Sequence, residues 1–265
     1  MSDIALILEP PVARIRLCRP DRRNAMSRAM WLALPEFCAR IAATPEALVV
    51  VVEGADGHFC AGADIAEFET VYRDAAATRD YGDAIQDGLK ALAALERPTL
   101  AALRGNAIGG GLALALCCDL RFCAEDAVLA ITPARLGLLY GFVETRRLVE
   151  AIGPARAKDL LFSGRRVGGD EALAIGLVDR LVAPARLEAA VEAYARDLAG
   201  LSQQSIRGAK IAIEAIAAGL AEESPGFRAL VETAAAGEDF AEGRAAFMAK
   251  RAPQFRFRGR IPPLD

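Results

Sequence analysis

The sequence is poor in metal-binding side chains and lacks a long apolar segment. Histidine occurs once, at His58, and no cluster of histidine, cysteine and acidic residues has metal-ligand spacing. No apolar run approaches the roughly 18 residues that a membrane-spanning helix needs, and the first ten residues lack the basic start and apolar stretch of a secretion signal. These absences argue against a metal centre and a membrane anchor, and they predict a cytoplasmic protein.

The chain also has no excess of basic residues over acidic ones. The 265 residues carry a net charge of −3, whereas a nucleic-acid-binding protein normally has a strong basic excess for its phosphate partner. Hydrophobic residues make up 54% of the chain and charged residues 25%, which suits a soluble protein with a large core. The six cysteines lie in apolar or small-residue surroundings, so we expect reduced core thiols.

Strand and helix patterns alternate along the first 200 residues. Residues 4–18, interrupted by Pro10 and Pro11, predict a pair of strands, and β-branched runs at 48–52 and 99–103 predict buried strands. Ser27 is the expected N-cap of a helix of about four turns. From Leu187 onward the sequence is helical and rich in alanine. We therefore predict an α/β core over residues 1–200 and a helical region over 201–265.

Two segments depart from these patterns. Residues 70–83 are polar and charged with little apolar periodicity, and they are the best candidate for a mobile lid. Residues 251–265 contain four arginines and three prolines, so we expect an extended tail there.

Two glycine-rich segments offer bare backbone at predicted helix starts. Residues 54–65 are small and follow a buried strand, so their N–H groups are able to approach a negatively charged ligand. A tight strand-to-helix turn explains the same residues. The second segment, residues 100–120, contains three consecutive glycines at 109–111. Each loses more backbone freedom on folding than alanine would, which indicates either a ligand or close helix packing.

In order and spacing these segments resemble the crotonase (enoyl-CoA hydratase/isomerase) family. The resemblance spans nearly the whole chain, and it extends to Arg19-Pro20, Asn24-Ala25-Met26, Arg146-Arg147-Leu148, residues 161–166, residues 172–178 and residues 250–253. It implies an α/β fold in which a spiral of ββα units is followed by helices that build trimers, often paired as dimers of trimers.

The resemblance also implies a binding site for an acyl-CoA thioester, with coenzyme A present only as part of the substrate. The backbone N–H groups of Ala63 and Gly110 would polarise the thioester carbonyl and stabilise an enolate. Arg22 or Arg23 would meet the coenzyme A phosphates. The loop at Ala61, Asp64 and Ile65 would hold the adenine, and Lys250 or Arg256 would reach the nucleotide of a neighbouring subunit. Asp64 is also placed to cap a helix.

The chain departs from the hydratase pattern at both catalytic glutamates. Ala113 and Pro133 stand at those positions, and neither residue accepts or donates a proton. The segment from Thr132 to Glu144 is most similar to methylmalonyl-CoA decarboxylase, which carries a tyrosine at the place of Tyr140. That hydroxyl is a candidate donor to a leaving carboxylate, or it anchors a turn.

Glu144 is the best remaining acid or base. It lies four residues after Tyr140, so the two share a face if the helix begins there, although Glu144 would equally well pair with Arg147 or Arg135 at the surface. His58 is expected to be exposed.

These residues predict an acyl-CoA-transforming enzyme that works through a thioester enolate, without the usual hydratase glutamates. A malonyl-type acyl-CoA decarboxylase and a non-catalytic acyl-CoA-binding member of the family are the alternatives. The alanine-rich C-terminal helices predict a homo-oligomer, either a trimer or a hexamer.

Overall fold

A computed structural model describes residues 2–262 and contains two β-sheets in that range. The strands are β1 (Ile4–Glu9), β2 (Val12–Leu17), β3 (Val49–Gly54), β4 (Thr99–Leu103), β5 (Asn106–Ile108), β6 (Leu120–Ala124), β7 (Val128–Ala130), β8 (Arg166–Gly168) and β9 (Arg180–Val182). Six strands form the large sheet in the order β1-β2-β3-β4-β6-β9. Only the β1–β2 hairpin is antiparallel there. Its central strands are apolar because parallel sheets are buried on both faces.

The small sheet has the order β5-β7-β8. The helices are α1 (Arg28–Ala42), α2 (Phe68–Val71), α3 (Ala75–Ala93), α4 (Gly110–Leu116), α5 (Phe142–Ser163), α6 (Gly169–Ile175), α7 (Leu187–Ala199), α8 (Gln203–Ala217), α9 (Pro225–Ala235) and α10 (Glu238–Met248). The chain runs repeatedly from a strand of the large sheet to a strand of the small sheet and then into a helix, as in β4-β5-α4 and β6-β7-α5. This is the predicted spiral of ββα units.

Local sequence explains where several helices begin. Ser27 caps α1, as predicted, by accepting a hydrogen bond from the backbone N–H of Met30, and Asp74 caps α3 through the N–H of Ala77. Such caps satisfy N–H groups that have no partner within the helix. The strand predictions at 48–52 and 99–103 are confirmed by β3 and β4.

Residues 70–83, the predicted mobile lid, are largely helical, and their role as a lid stays a prediction. These residues belong to the end of α2 and the first half of α3, and Tyr81 is 1% exposed. Helix α3 packs against α1, and a side chain at Gly88 would collide with the backbone of Trp31. The buried face of α3 consists of Tyr81, Ala84, Gly88, Leu89 and Leu92, of which only Tyr81 lies within residues 70–83.

The C-terminal part is helical through α10 and then irregular from residue 251 to 262, as predicted for that range; the last three residues of the predicted tail lie outside the described chain. Several large apolar side chains of this part are exposed, among them Ile213, Ile216, Phe240, Phe247 and Met248. No helix within residues 2–262 has the length and apolar character required to span a membrane.

Candidate active site

The two glycine-rich segments lie side by side and are joined by backbone hydrogen bonds. The N–H of Cys60 donates to the carbonyl of Asn106 over 2.8 Å, and the N–H of Ile108 donates to the carbonyl of Cys60 over 3.0 Å. This pairing brings the end of the first loop next to the start of α4. Residues that are almost 50 positions apart in the sequence therefore form one site.

The glycines are required by this close approach. A side chain at Gly111 would come within 2.6 Å of Cys60. Gly62 has a φ of +104°, and a side chain there would lie 3.0 Å from the carbonyl oxygen of Ile108. Gly109 adopts φ +50° and ψ −114°, a conformation that side chains other than hydrogen disfavour. Close packing and a positive φ thus both account for glycine in the triplet.

The N–H groups of Ala63 and Gly110 are neighbours and remain available. A carbon attached to the α-carbon of Gly110 would lie 3.8 Å from the nitrogen of Ala63. Gly110 is the first residue of α4, so its N–H has no acceptor within the helix. Among the hydrogen bonds of residues 2–262, neither N–H has an acceptor. Two N–H groups without an acceptor in that range therefore lie side by side, one in the first loop and one at the start of α4.

Ala63 and Gly110 both line a cavity of about 140 Å³. Its walls are mostly apolar and aromatic, and its lining includes Trp31, Ala63, Ile65, Phe68, Tyr72, Tyr81, Gly110, Thr132, Pro133, Tyr140 and Glu144. Four predicted catalytic positions, Ala63, Gly110, Tyr140 and Glu144, are therefore brought together. Within the described chain, Glu144 is the one charged side chain that lines the cavity.

The Tyr140 hydroxyl donates to the backbone carbonyl of Gly109 over 3.0 Å. Because a trans peptide is planar, this carbonyl and the N–H of Gly110 point in opposite directions from the same peptide group. Tyr140 therefore holds the peptide that carries one of the two free donors. Burial raises the pKa of Tyr140 well above 10, and the nearby Glu144 adds to the effect, so the hydroxyl stays protonated.

Glu144 is 7% exposed, and its carboxyl accepts a hydrogen bond of 3.1 Å from the side-chain amide of Gln86 on α3. The anticipated surface pairing is wrong, because Arg147 pairs with Glu150 and Glu214. The helix begins at Phe142, so Tyr140 precedes it. Burial raises the pKa of Glu144, while its own backbone N–H and Gln86 act in the opposite direction.

Gln86 is the functional candidate that the sequence did not reveal. It lies in α3, three residues after the predicted lid at 70–83, and its partner is 58 residues away in the chain. No motif connects the two positions.

The polar turn at residues 19–24 forms hydrogen bonds with the first loop. Asn24 is fully buried, and its amide donates to the carbonyls of Ala55 and His58 over 2.7 Å each. The Arg19 guanidinium donates to the Asp64 carboxylate over 2.7 Å. These contacts fix the loop against the turn.

Asp64 acts as a helix cap, as one interpretation of the sequence anticipated. It accepts a hydrogen bond from the N–H of Ala66 over 3.1 Å. Burial acts to raise the pKa of Asp64, but the hydrogen bonds from Arg19 and Ala66 outweigh it, so that the pKa lies below its usual value. Its carboxylate is thus already occupied by protein groups.

Some of the residues predicted to hold coenzyme A lie close together, namely the two arginines and the first loop. Arg22 and Arg23 are exposed, and the carbonyl of Arg23 accepts a hydrogen bond from the N–H of Ala61 over 2.9 Å. Ile65 is 64% exposed at the rim of the cavity. Two arginines and the loop therefore share one face beside the site.

The remaining candidates lie elsewhere. Lys250 follows α10 and is exposed, and within residues 2–262 no hydrogen bond or ion pair joins it to the Arg22 turn. The backbone N–H of Arg256 donates to Asp239. His58 is half-buried rather than exposed, and its Nδ1 accepts a hydrogen bond from the N–H of Asn106 over 3.2 Å, so it supports the loop pairing.

Ala113 and Pro133, the two positions that the resemblance assigns to hydratase glutamates, have different surroundings. Ala113 is fully buried within α4. Pro133 begins a short 3-10 turn and lines the cavity. Thr132 adds a hydroxyl beside it, so this wall is polar but has no ionisable group at either position.

Comparison with known proteins places the chain among similar sequences. The family model described as enoyl-CoA hydratase/isomerase matches residues 9–258. The chain is 37% identical over 257 residues to enoyl-CoA hydratase domain-containing protein 2, mitochondrial, of Mus musculus, a match that covers 92% of this chain and 84% of that protein. It is 32% identical over 260 residues to crotonyl-CoA hydratase of Syntrophomonas wolfei, covering 96% and 98%.

Solved structures agree with the sequence comparisons. A crystal structure of an enoyl-CoA hydratase/isomerase family protein from Hyphomonas neptunium matches with a TM-score of 0.94 and 40% identity, covering 97% of this chain and 98% of that chain. The match extends over the α/β spiral and the C-terminal helices alike. The chain therefore belongs to the enoyl-CoA hydratase/isomerase family of the crotonase superfamily.

Proposed function

We propose that this enzyme transforms an acyl-CoA thioester through an enolate stabilised by the N–H groups of Ala63 and Gly110. The observation that carries the proposal is the presence of two adjacent free donors in the same cavity as one buried carboxyl, Glu144. A thioester carbonyl between the donors would gain hydrogen bonds as negative charge develops on its oxygen. Such an interaction is stronger in the transition state than in the ground state, which is what accelerates a reaction.

Glu144 is the proposed acid or base. It is the cavity's one ionisable carboxyl within residues 2–262, and burial moves its pKa upward toward the range in which a carboxyl exchanges protons near neutral pH. Tyr140 remains protonated and serves as a hydrogen-bond donor.

A single acid/base group limits the reactions that fit. One carboxyl is able to remove a proton and return it, as a double-bond shift requires, or to protonate an enolate after loss of carbon dioxide. Addition of water normally uses one group to activate water and a second to deliver a proton. Isomerisation or decarboxylation therefore fits this cavity better than rapid hydration.

A malonyl-type acyl-CoA decarboxylase is the second candidate. It is favoured by Tyr140, which lines the cavity at the position where the sequence resembles methylmalonyl-CoA decarboxylase. In the free enzyme the Tyr140 hydroxyl is engaged with Gly109, so a leaving carboxylate would have to compete for it or bind at Thr132. Loss of the carboxylate would leave its electron pair as the enolate between Ala63 and Gly110.

The proposed substrate carrier is coenzyme A, bound beside the cavity by Arg22 and Arg23. Location in the cytoplasm and assembly into a trimer or hexamer remain predictions. Calorimetry with acetyl-CoA and with free acetate tests the carrier, and we expect heat from the thioester alone, reduced when both arginines are replaced by alanine.

Turnover of a panel containing methylmalonyl-CoA, 3-enoyl-CoA and crotonyl-CoA tests the reaction. We expect activity with one of the first two substrates, and loss of at least 10²-fold in Glu144→Gln if this group transfers the proton. Brisk hydration of crotonyl-CoA that persists in Glu144→Gln would contradict the proposal. Binding without turnover across the panel would indicate a non-catalytic acyl-CoA-binding protein.

A further inference from the structure

The hydrogen bond between Gln86 and Glu144 joins a residue of the active-site cavity to a residue of a second groove. Glu144 lines the cavity, whereas Gln86 lines an outer groove of about 720 Å³ between α3, α5 and α8. The amide Nε2 donates to Oε2 of the carboxyl over 3.1 Å. The carboxyl of Glu144, on α5, thus accepts a hydrogen bond from a neutral amide on α3.

The backbone holds the same carboxyl from another side. Glu144 is the third residue of α5, and the cap residue Gly141 offers no side chain to the free N–H groups of the helix. The carboxyl folds back over Gly141, where an added side chain would lie within 2.6 Å of Oε1. A helix N-terminus favours a carboxylate. Contacts from two elements therefore fix the orientation of one acidic group.

Charged side chains contribute little to this arrangement. The titratable groups that face Glu144 are Tyr140, from the segment before α5, and Cys117, from the end of α4. Burial raises the pKa of both, to about 12 for Cys117, so both are neutral at physiological pH. The charged side chains of the packed elements are engaged elsewhere: Arg147 with Glu150 and Glu214, Lys90 in the outer groove, and Arg135 against Gly164.

We propose that Gln86 is a positioning residue that sets both the orientation and the proton affinity of Glu144. The inference rests on the proposed acid/base role of Glu144. An amide donor stabilises the ionised carboxyl and restrains its rotation by holding Oε2. Without that donor, a buried carboxyl would bind its proton more tightly and rotate more freely.

The test uses two substitutions with opposite expected effects. Gln86→Met removes the donor at nearly constant size, and Gln86→Lys supplies a charged donor. Both residues are as compatible with a helix interior as glutamine. In protein labelled with ¹³C at the glutamate side-chain carboxyl carbon, the Glu144 resonance is assigned by its loss in Glu144→Gln. We expect its pKa to rise by about one unit in Gln86→Met, a tenfold change in the ionisation constant, and to fall in Gln86→Lys.

Activity then separates this inference from the proposed function. The limb of the pH profile of kcat that disappears in Glu144→Gln should move in the same direction as the measured pKa in each variant, while KM for the acyl-CoA stays nearly constant. Gln254→Met, the same chemical change at an exposed position of the C-terminal tail, should leave the profile unchanged.

Each failure has a separate signature. If the Glu144 pKa is the same in both Gln86 variants and the wild type, Gln86 does not position the carboxyl and the inference is wrong, even where Glu144→Gln is inactive. If Glu144→Gln keeps wild-type activity and pH profile, the proposed function loses its acid/base group. Gly141→Ala checks the geometry independently, because displacing the carboxyl should abolish the effect of Gln86→Met.

Discussion

Replacing Tyr140 with phenylalanine tests how the free donor at Gly110 is held. The substitution removes one hydrogen bond of 3.0 Å to the carbonyl of Gly109. That carbonyl keeps its second partner, the N–H of Ala113 at 3.0 Å, so no buried acceptor is left without a donor. A net hydrogen bond contributes about 1 kcal/mol, and we expect the free energy of unfolding to fall by about that amount.

The expected effect on rate follows from the same geometry. Tyr140→Phe leaves both N–H donors in place but removes one of the two hydrogen bonds that hold the peptide between Gly109 and Gly110, so that the peptide is oriented less firmly. The loss in kcat should therefore be about tenfold, smaller than the roughly 10²–10³ that follows removal of an oxyanion donor. Affinity for coenzyme A thioesters should be nearly unchanged, because the change affects the transition state more than the ground state.

The assay is steady-state kinetics on the substrate found in the panel, together with calorimetry of acyl-CoA binding and chemical denaturation. Tyr194→Phe is the control, since the Tyr194 ring contacts Phe122 and Arg180 and does not line the cavity. An unchanged kcat, or a raised KM with unchanged kcat, would refute the reasoning. A loss above about 10³ would instead indicate that Tyr140 contacts the reacting group directly.

Three further predictions concern the loop, the glycine triplet and the assembly. Asp64→Asn should lower the free energy of unfolding by about 2–3 kcal/mol at pH 7, because it breaks a largely buried pair with Arg19. The pKa of Asp64 is lowered from 3.8 in the folded state. This stabilisation is therefore present above pH 3.8 and disappears as the pH falls through the lowered pKa. If the difference in unfolding free energy between wild type and Asp64→Asn stays constant over that pH range, the assignment is contradicted. Gly109→Ala should cost about 1–3 kcal/mol in backbone strain at φ +50° and reduce kcat by about 10² or more, whereas Gly57→Ala, with φ +88° in similarly open space, should affect stability alone. Light scattering should report a trimer or hexamer of the 28.1 kDa chain, because the exposed apolar side chains of α8 and α10 require a partner surface; a stable monomer would show that assembly does not bury them.

Features set by short stretches of sequence were predictable. Ser27 caps α1 and the β-branched run before Gly54 forms β3, since each depends on a cap or on continuous apolar character. The strained backbone at Gly109 also leaves a direct sequence signal, because glycine is nearly the one residue that accepts it.

Features set by distant contacts were not predictable. Helix α3 buries Tyr81, Ala84, Gly88, Leu89 and Leu92, but Tyr81 is the one buried residue of its first half, which therefore resembles a polar loop in sequence. Strands β5 and β8 have three residues each, which is too short for a periodic pattern. Glu144 was identified as a candidate acid or base from its position, but its hydrogen bond with Gln86 arises only from the packing of α3 against α5.

Isotope incorporation from solvent tests the central claim most directly. Isomerisation, decarboxylation and hydration through a thioester enolate all protonate carbon next to the thioester or its vinylogous position, so turnover in D₂O should place deuterium there. The measurement is mass spectrometry and proton NMR of the thioester recovered after incubation of the panel with the wild type and with Gly109→Ala. We predict deuterium at the α-carbon, or at the γ-carbon of an isomerised product, with incorporation slowed by about 10² or more in the variant. An isomerised product is not required to carry solvent deuterium, because Glu144 is able to return the proton that it removed. A decarboxylated or hydrated product without solvent deuterium at the α-carbon would contradict an enolate mechanism.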